Sequence, residues 1–340
     1  MLKQAELWEP LSEDRVHCHL CAHHCVISPD GRGICQVREN RDGTLYTLVY
    51  GELIARHVDP IEKKPLFHFY PGSRAYSIAT VGCNFRCDWC QNYDISQMPR
   101  DQRRIIGQET RPEEVIEEAQ ARKCRSIAYT YTEPTIFFEY SYDTAQLAHD
   151  AEIKNVYVTN GYMTHMMLEA MHPFLDAANV DLKAFRDETY RRYVGARLQP
   201  VLDSLKLMKQ LGIWVEVTTL LIPEVNDDTA ELRDAAEFIV KELGPETPWH
   251  LSRFFPAYKM QSVSPTPEST VTRALEIGRE AGLQYVYAGN SRQNASTNCH
   301  KCGELLVHRA GHSILGNRVT EKGTCPECGT LVAGIGMHAP

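Results

Sequence analysis

The 340-residue chain reads as an α/β protein: a parallel sheet with helical crossovers, closed or part-closed into a TIM-like barrel, with cysteine-rich segments at both ends. Three observations predict this. Short β-rich apolar runs alternate with amphipathic stretches through the middle of the chain, and that repetition implies a parallel sheet with right-handed crossovers. Eleven of the twelve cysteines fall in three clusters outside or between those runs. Composition is 43% hydrophobic and 24% charged, which supports a packed core and excludes collagen-like, low-complexity and broadly disordered chains.

The elements follow in order. Residues 77–81 form a first strand, and Gly82 opens a loop at its carboxyl end. Further strands are predicted over 126–131, 155–159, 178–182, 213–222 and 249–255, with a late one over 284–288. Helical patterns lie between them, among them 112–122, 138–151, 200–211, 229–243 and 268–281. Proline near several starts suits the first turn, and glycine near several ends suits the last. At about 150 residues per domain the length allows two domains, or one barrel with appendages. The boundaries drawn are a cysteine-rich region over 1–70, a barrel over 71–294 and a small lobe over 295–340.

The net charge of −8 disfavours a nucleic-acid partner, and the basic run at 100–104 reads as solvated surface. The start, MLKQAELWEP, lacks the basic and apolar regions of a signal peptide. No apolar run of about 18 residues is present to cross a membrane. A cytoplasmic location is expected.

Tight cysteine clusters in a long intracellular chain read as metal ligands, whereas Cys124, alone, reads as a small buried hydrophobe. Cys299-His-Lys-Cys302-Gly and Cys325-Pro-Glu-Cys328-Gly, 22 residues apart, are two knuckles that supply four sulfurs. That set predicts a zinc ribbon, with rubredoxin-like iron as the competitor. Cys18, Cys21, Cys25 and Cys35 are crowded by His17, His19, His23 and His24. Their ligand set is Cys₄ or Cys₃His, for a zinc knuckle or an additional iron–sulfur cluster, with a metal-free site as the remaining alternative. In the centre, Cys83, Cys87 and Cys90 lie within eight residues. Three thiolates fall short of a tetrahedral zinc shell but can hold three corners of a [4Fe–4S] cube, leaving one iron open.

This CxxxCxΦC motif, with Trp89 as the aromatic, resembles the signature of the radical S-adenosylmethionine (SAM) superfamily. The resemblance implies a partial (β/α)6 barrel, SAM chelated to the open iron, and reductive cleavage to a 5′-deoxyadenosyl radical. Thr130-Tyr131-Thr132-Glu133-Pro134 resembles the family's GGE motif, which makes Glu133 the acceptor of the methionyl ammonium. Thr159-Asn160-Gly161 resembles the TNG of the activating-enzyme branch, beside SAM. Asp181-Leu182-Lys183 resembles its DxK, whose aspartate helps hold a monovalent cation and whose lysine faces the reacting centre. Val158 stands where that branch has an aspartate. Thr218-Thr219-Leu220-Leu221-Ile222-Pro223 resembles the apolar wall against adenine, and assigns Ile222 there. The bland alternatives are a solvated glutamate at 133 and an ordinary surface ion pair at 181 and 183.

Longer segments narrow the resemblance: His57-Val-Asp59-Pro60-Ile-Glu62-Lys63-Lys64-Pro65-Leu66, Cys90-Gln91-Asn92, Trp249-His250-Leu-Ser-Arg253 and Tyr287-Ala-Gly289-Asn290. Together they resemble the radical SAM component of the AmmeMemoRadiSam system, similar to pyruvate formate-lyase activating enzyme. This implies Memo-like and AMMECR-like partners and an electron donor such as flavodoxin or ferredoxin. The expected reaction is hydrogen abstraction from a small or partner-bound substrate. The alternatives are a glycyl-radical-enzyme activase, an RNA-modifying enzyme, and a non-enzymatic electron carrier or scaffold. Lys183 and His250 are candidate catalytic residues. Arg253, Tyr258 and Asn290 are further candidate substrate contacts, with a structural role as the competing reading for a lone histidine.

Overall fold

Eight strands build the central sheet of the computed structural model, which describes residues 2–293 and 295–338. They are β1 (Ala55–Pro60), β2 (Arg74–Ala79), β3 (Ser126–Tyr129), β4 (Lys154–Thr159), β5 (Ala177–Asp181), β6 (Trp214–Leu221), β7 (Trp249–Arg253) and β8 (Val286–Gly289). From β2 to β8 each strand pairs in parallel with the next, and β1 runs antiparallel along the β2 edge. Each parallel crossover carries a helix: α1 (Pro112–Ala121), α2 (Phe138–Asp150), α3 (His165–Met171), α4 (Gln199–Gln210), α5 (Thr229–Phe238) and α6 (Glu268–Glu280).

The strands are buried because helices cover one face and side chains fill the other. Ile78, Ile127, Val156, Val180, Val217 and Leu251 are all sealed from solvent, the near-continuous apolar reading expected of a parallel sheet. Truncating one such residue to alanine costs roughly 2–5 kcal/mol.

Some elements depart from expectation. The strand expected over 77–81 begins at Arg74 and stops at Ala79, because Thr80 and Val81 already belong to the loop that follows. The helix expected to run to 243 ends at Phe238 and continues as one wider π turn, Ile239–Leu243. Helix α3 was not expected. It spans only seven residues, and its start is set by Thr164, whose Oγ1 accepts from Met167 N at 3.2 Å. The boundary drawn at residue 294 lies outside the described residues.

Two small antiparallel sheets precede β1. One joins Lys3–Gln4, Thr44–Thr47 and Arg38–Arg41; the other joins Trp8–Pro10, Val16–Cys18 and Val26–Ile27. Buried Arg38 pairs with buried Glu139 of α2 and ties this region to the barrel. Removing one partner would strand a buried charge, at a cost of roughly 3–5 kcal/mol. After β8, strands Thr297–Asn298, Leu305–Ala310 and Ser313–Asn317 form a third antiparallel sheet. Its core is Leu306, Val307, Val319, Val332 and Met337 around Cys299 and Cys325. Arg309 crosses back to donate to Phe67 O at 2.8 Å. Among the described residues no helix is long and apolar enough to cross a membrane.

Candidate active site

The loop after β2 is shaped by its first residue. Gly82 has φ +107°, and a Cβ there would lie 2.8 Å from Val37 Cγ1. Only glycine relieves both constraints. Beyond it the backbone is pinned from several sides: Arg86 N donates to Val194 O and Asp88 N to Tyr193 O, each at 3.0 Å, and Gln97 Nε2 donates to Phe85 O at 3.1 Å. Cys83, Cys87 and Cys90 are thereby presented to one cavity of about 1000 Å³, and no fourth cysteine lines it among the described residues. Trp89 is buried beside them, its ring 6.2 Å from that of Tyr193.

Burial pushes the Cys83 and Cys87 thiols up, Cys87 to about 12. As free thiols they are protonated and poor nucleophiles at neutral pH. Coordination to a metal removes the proton outright, so the donor set suits ligation and not covalent catalysis. Beside Cys83, the buried Nδ2 of Asn84 lacks a hydrogen-bond partner. Three thiols on one cavity of this volume fit a three-cysteine iron–sulfur cluster with a ligand next to it.

The next strand ends supply polar groups to the same cavity. Glu133 follows β3 and is buried, with both carboxylate oxygens hydrogen-bonded. Its Oε1 accepts from Thr135 N (3.0 Å), Thr135 Oγ1 (2.6 Å) and Thr159 Oγ1 (2.7 Å), while Oε2 accepts from Asn160 N (2.8 Å). A carboxylate has about four lone-pair positions, two on each oxygen. Oε2 therefore keeps acceptor capacity. Burial raises the Glu133 pKa against those hydrogen bonds. Asn160 also donates to Asn84 Oδ1 at 2.7 Å, linking this group to the cysteine loop. The solvated-glutamate reading fails. Where the family motif has glycine, Tyr131 adopts φ +63°, and its hydroxyl donates to Asp59.

Asp181 and Lys183 line the same cavity as an ion pair at 2.7 Å. Burial opposes the charge on Lys183, but Asp181 and the Cys87 and Cys90 sulfurs outweigh it and hold its pKa above the ordinary range. Lys183 thus sits in the field of the cysteine loop. From β6, Thr218 and Leu220 line the cavity, whereas fully buried Ile222 does not. The strand stops at Leu221, and Asn226 Oδ1 takes the Ile222 N–H at 2.7 Å, turning the chain away.

His250 touches the cavity but is buried, with Nε2 2.6 Å from Glu216 Oε2 and its ring stacked on Tyr287. Glu216 also accepts from Phe67 N, His68 N and Trp214 Nε1. His250 is thus held in a packed polar network. Arg253 is spent on Glu268 at 2.7 Å, and Tyr258 donates to Asp101 at 2.8 Å; neither lines the cavity. Asn290 does, in a left-handed conformation at φ +51°.

The sequence alone assigns Lys64 no role. It lies buried on the cavity wall, 2.6 Å from Asp59 and over the Tyr131 ring, with burial lowering its pKa to about 8. His308 and His312, from the last sheet, also reach this cavity. No sequence spacing links them to it.

The terminal cysteines differ from the central three. Cys299 and Cys328 sulfurs are 3.6 Å apart, Cys302 and Cys325 3.7 Å, and all four lie within 4.8 Å. A tetrahedron with Zn–S bonds of ~2.3 Å has edges of about 3.8 Å, so the set fits one metal ion. At the other end, Cys18 accepts from Arg38 Nη1 at 3.1 Å. Burial raises the Cys21, Cys25 and Cys35 thiols, with the neighbouring cysteines adding to the shift.

Comparison with known proteins agrees with this geometry. The model of the radical SAM superfamily matches residues 77–238. An uncharacterized protein of Methanocaldococcus jannaschii is 44% identical over 334 residues, covering 97% of this chain and 99% of its own. A pyruvate formate-lyase-activating enzyme of Clostridium pasteurianum is 23% identical over 175 residues, covering 50% of this chain and 70% of its own. Among solved structures, a radical SAM methyltransferase from Sphaerobacter thermophilus aligns with a TM-score of 0.51 at 17% identity, over 66% of this chain and 68% of that one. Streptococcus suis SuiB bound to its precursor peptide SuiA aligns at 0.51 and 12% identity, over 68% and 52%. Residues 77–238, in which the three thiols, Glu133 and Asn160 meet at the carboxyl ends of a parallel sheet, form a radical SAM domain.

Proposed function

We propose that this protein holds a [4Fe–4S] cluster on Cys83, Cys87 and Cys90, binds SAM beside it, and acts on a small or partner-borne molecule that gives up a hydrogen atom. When bound, cluster and SAM together supply reductive cleavage to a 5′-deoxyadenosyl radical. The observation that carries the reading is the convergence of those cysteines with Glu133, Thr159, Asn160, Asp181 and Lys183 on one cavity. Glu133 Oε2 accepts from the methionyl ammonium, while Thr135, Thr159 and Asn160 keep the carboxylate aimed. Lys183 stays protonated and neutralises negative charge near Cys87. Trp89, Phe67 and Leu220 line the same cavity and exclude water. His250 positions the wall through Glu216.

The organisation we propose is a cysteine-rich region over 1–70, which also lends the edge strand β1 to the central sheet, a partial (β/α)6 barrel over 71–294 and a zinc-binding lobe over 295–340. A structural Zn²⁺ on Cys299, Cys302, Cys325 and Cys328 braces the lobe that brings His308 and His312 to the cavity. Cys18, Cys21, Cys25 and Cys35 bind zinc or a second cluster. A flavodoxin or ferredoxin supplies the electron, and Memo-like and AMMECR-like proteins are partners, in the cytoplasm. The glycyl-radical-activase reading draws support from similarity to the Clostridium enzyme.

The test is anaerobic reconstitution with iron, sulfide, SAM and dithionite, scoring 5′-deoxyadenosine with and without candidate partners. Cluster-dependent deoxyadenosine supports the reading. Loaded protein that never cleaves SAM refutes it, and a persistent organic radical on a partner protein would move the assignment to the activase.

A further inference from the structure

Strand alternation in the amino-terminal region sorts its histidines from its cysteines. In Val16–Cys18 the Cys18 side chain turns inward and is buried, so His17 faces the other way. Glu9 stands directly across from His17 on one neighbouring strand, and Val26 pairs with it on the other. The turn between Cys21 and Cys25 brings His24 back in a left-handed conformation at φ +45°, its N–H donating to Cys21 O at 3.1 Å.

Three imidazoles therefore meet. The rings of His17 and His19 have centroids 4.1 Å apart, and His24 lies 6.1 Å from each. One ring nitrogen from each falls within 4.8 Å of the others. Glu9 Oε1 lies 3.3 Å from His17 Nδ1 and 3.2 Å from His19 Nε2. Unliganded surface histidines gain little from gathering like this, since ordering each ring costs side-chain entropy. Three convergent imidazole nitrogens with a carboxylate on two of the rings are instead the donor arrangement of a transition-metal centre.

We infer that His17, His19 and His24 form a site for a divalent transition-metal ion of the zinc class, oriented by Glu9 and distinct from all three cysteine clusters. Neutral nitrogen donors select Zn²⁺ and its neighbours over Ca²⁺ or Mg²⁺. Three protein ligands leave one position open. Beside the site lies a groove of about 400 Å³ lined by His19, His24, Met163 and Met166, among others. A bound ion ties the Glu9 and His17 strands to the turn that carries Cys21 and Cys25.

The test uses full-length, anaerobically reconstituted protein, so that its iron sites are filled. Wild type, His17→Ala, His24→Ala and Glu9→Gln are incubated with Zn²⁺ and desalted. Zinc and iron per chain are then measured by plasma mass spectrometry, and the zinc environment by X-ray absorption. The expected result is one zinc fewer per chain in both histidine variants, with iron unchanged and a nitrogen/oxygen scattering shell lost. Glu9→Gln should weaken zinc affinity about 10–100-fold, as loss of an orienting carboxylate does. Equal zinc in all four proteins overturns the inference. Zinc that desalting strips from wild type means an adventitious ion only, which also overturns it. Iron falling together with zinc in His24→Ala would show that the histidine serves the adjacent cysteine set, and would end the claim of a separate site.

Discussion

Glu133→Gln separates the charge of one carboxylate from its shape. The glutamate accepts four hydrogen bonds from buried donors, three at Oε1 and one at Oε2. Glutamine keeps the volume but has only one oxygen. With that oxygen at the Oε1 position, the amide nitrogen confronts Asn160 N–H, donor against donor. One buried N–H is then orphaned, at a cost of ~1–3 kcal/mol to stability. The binding loss is separate: a hydrogen bond to a charged group is worth ~1.5–3 kcal/mol, or about 10- to 150-fold in SAM affinity. Thr159→Val is the control, because it removes one donor and leaves the charge. It should cost ~0.5–1.5 kcal/mol of stability and weaken SAM binding far less than Glu133→Gln does.

The assay is equilibrium SAM binding to iron-loaded protein, with thermal unfolding in parallel. The pH dependence has a definite sign. Burial raises the Glu133 pKa, and an ammonium prefers the ionised carboxylate. Wild-type affinity should therefore weaken as pH falls through that raised value, and Glu133→Gln should lack this fall. Unchanged SAM affinity in Glu133→Gln at full iron content would refute the role assigned to Glu133.

Replacing any one of Cys83, Cys87 or Cys90 with alanine should abolish deoxyadenosine formation while leaving soluble protein; full activity in such a variant would overturn the cluster assignment. Gly82→Ala forces a side chain into φ +107° and against Val37. It should cost at least ~1–3 kcal/mol and lower iron content, so a wild-type melting temperature would contradict the loop argument. Cys302→Ala or Cys325→Ala should chiefly lower zinc content and stability; selective loss of chemistry in an intact fold would mean that lobe does something else. Burial lowers Lys64 to about 8 from an ordinary 10.5, even with Asp59 beside it. Between those values the unfolded chain binds more protons than the folded one, so stability should rise with pH across that window. Urea midpoints at both ends of the window should show the rise in wild type and not in Lys64→Met.

Strand–helix alternation and the spacing of Cys83, Cys87 and Cys90 were legible in the linear chain, because both are local patterns. Periodicity located every strand of the parallel sheet to within a few residues and left α3 unassigned, since seven residues make too short a period to read. Glu133, Thr159 and Asn160 were legible only through motif resemblance. Their mutual hydrogen bonds span 26 and 27 positions in the sequence. Ile222 was misplaced relative to the cavity for a related reason. The motif continues past the end of β6, but the backbone turns where Asn226 captures its N–H.

By itself, then, the sequence determined the kind of sheet and the gathering of eleven cysteines into three clusters. Only tertiary structure decided that Lys64, His308 and His312 share a cavity with the cysteine loop, that His250 is committed to Glu216, and that three histidines gather apart from their neighbouring cysteines. Hydrophobic period and ligand spacing act over a few residues along the chain. Convergence depends instead on how the strands and the two terminal lobes pack, and residues more than 200 positions apart carry no local signal of it.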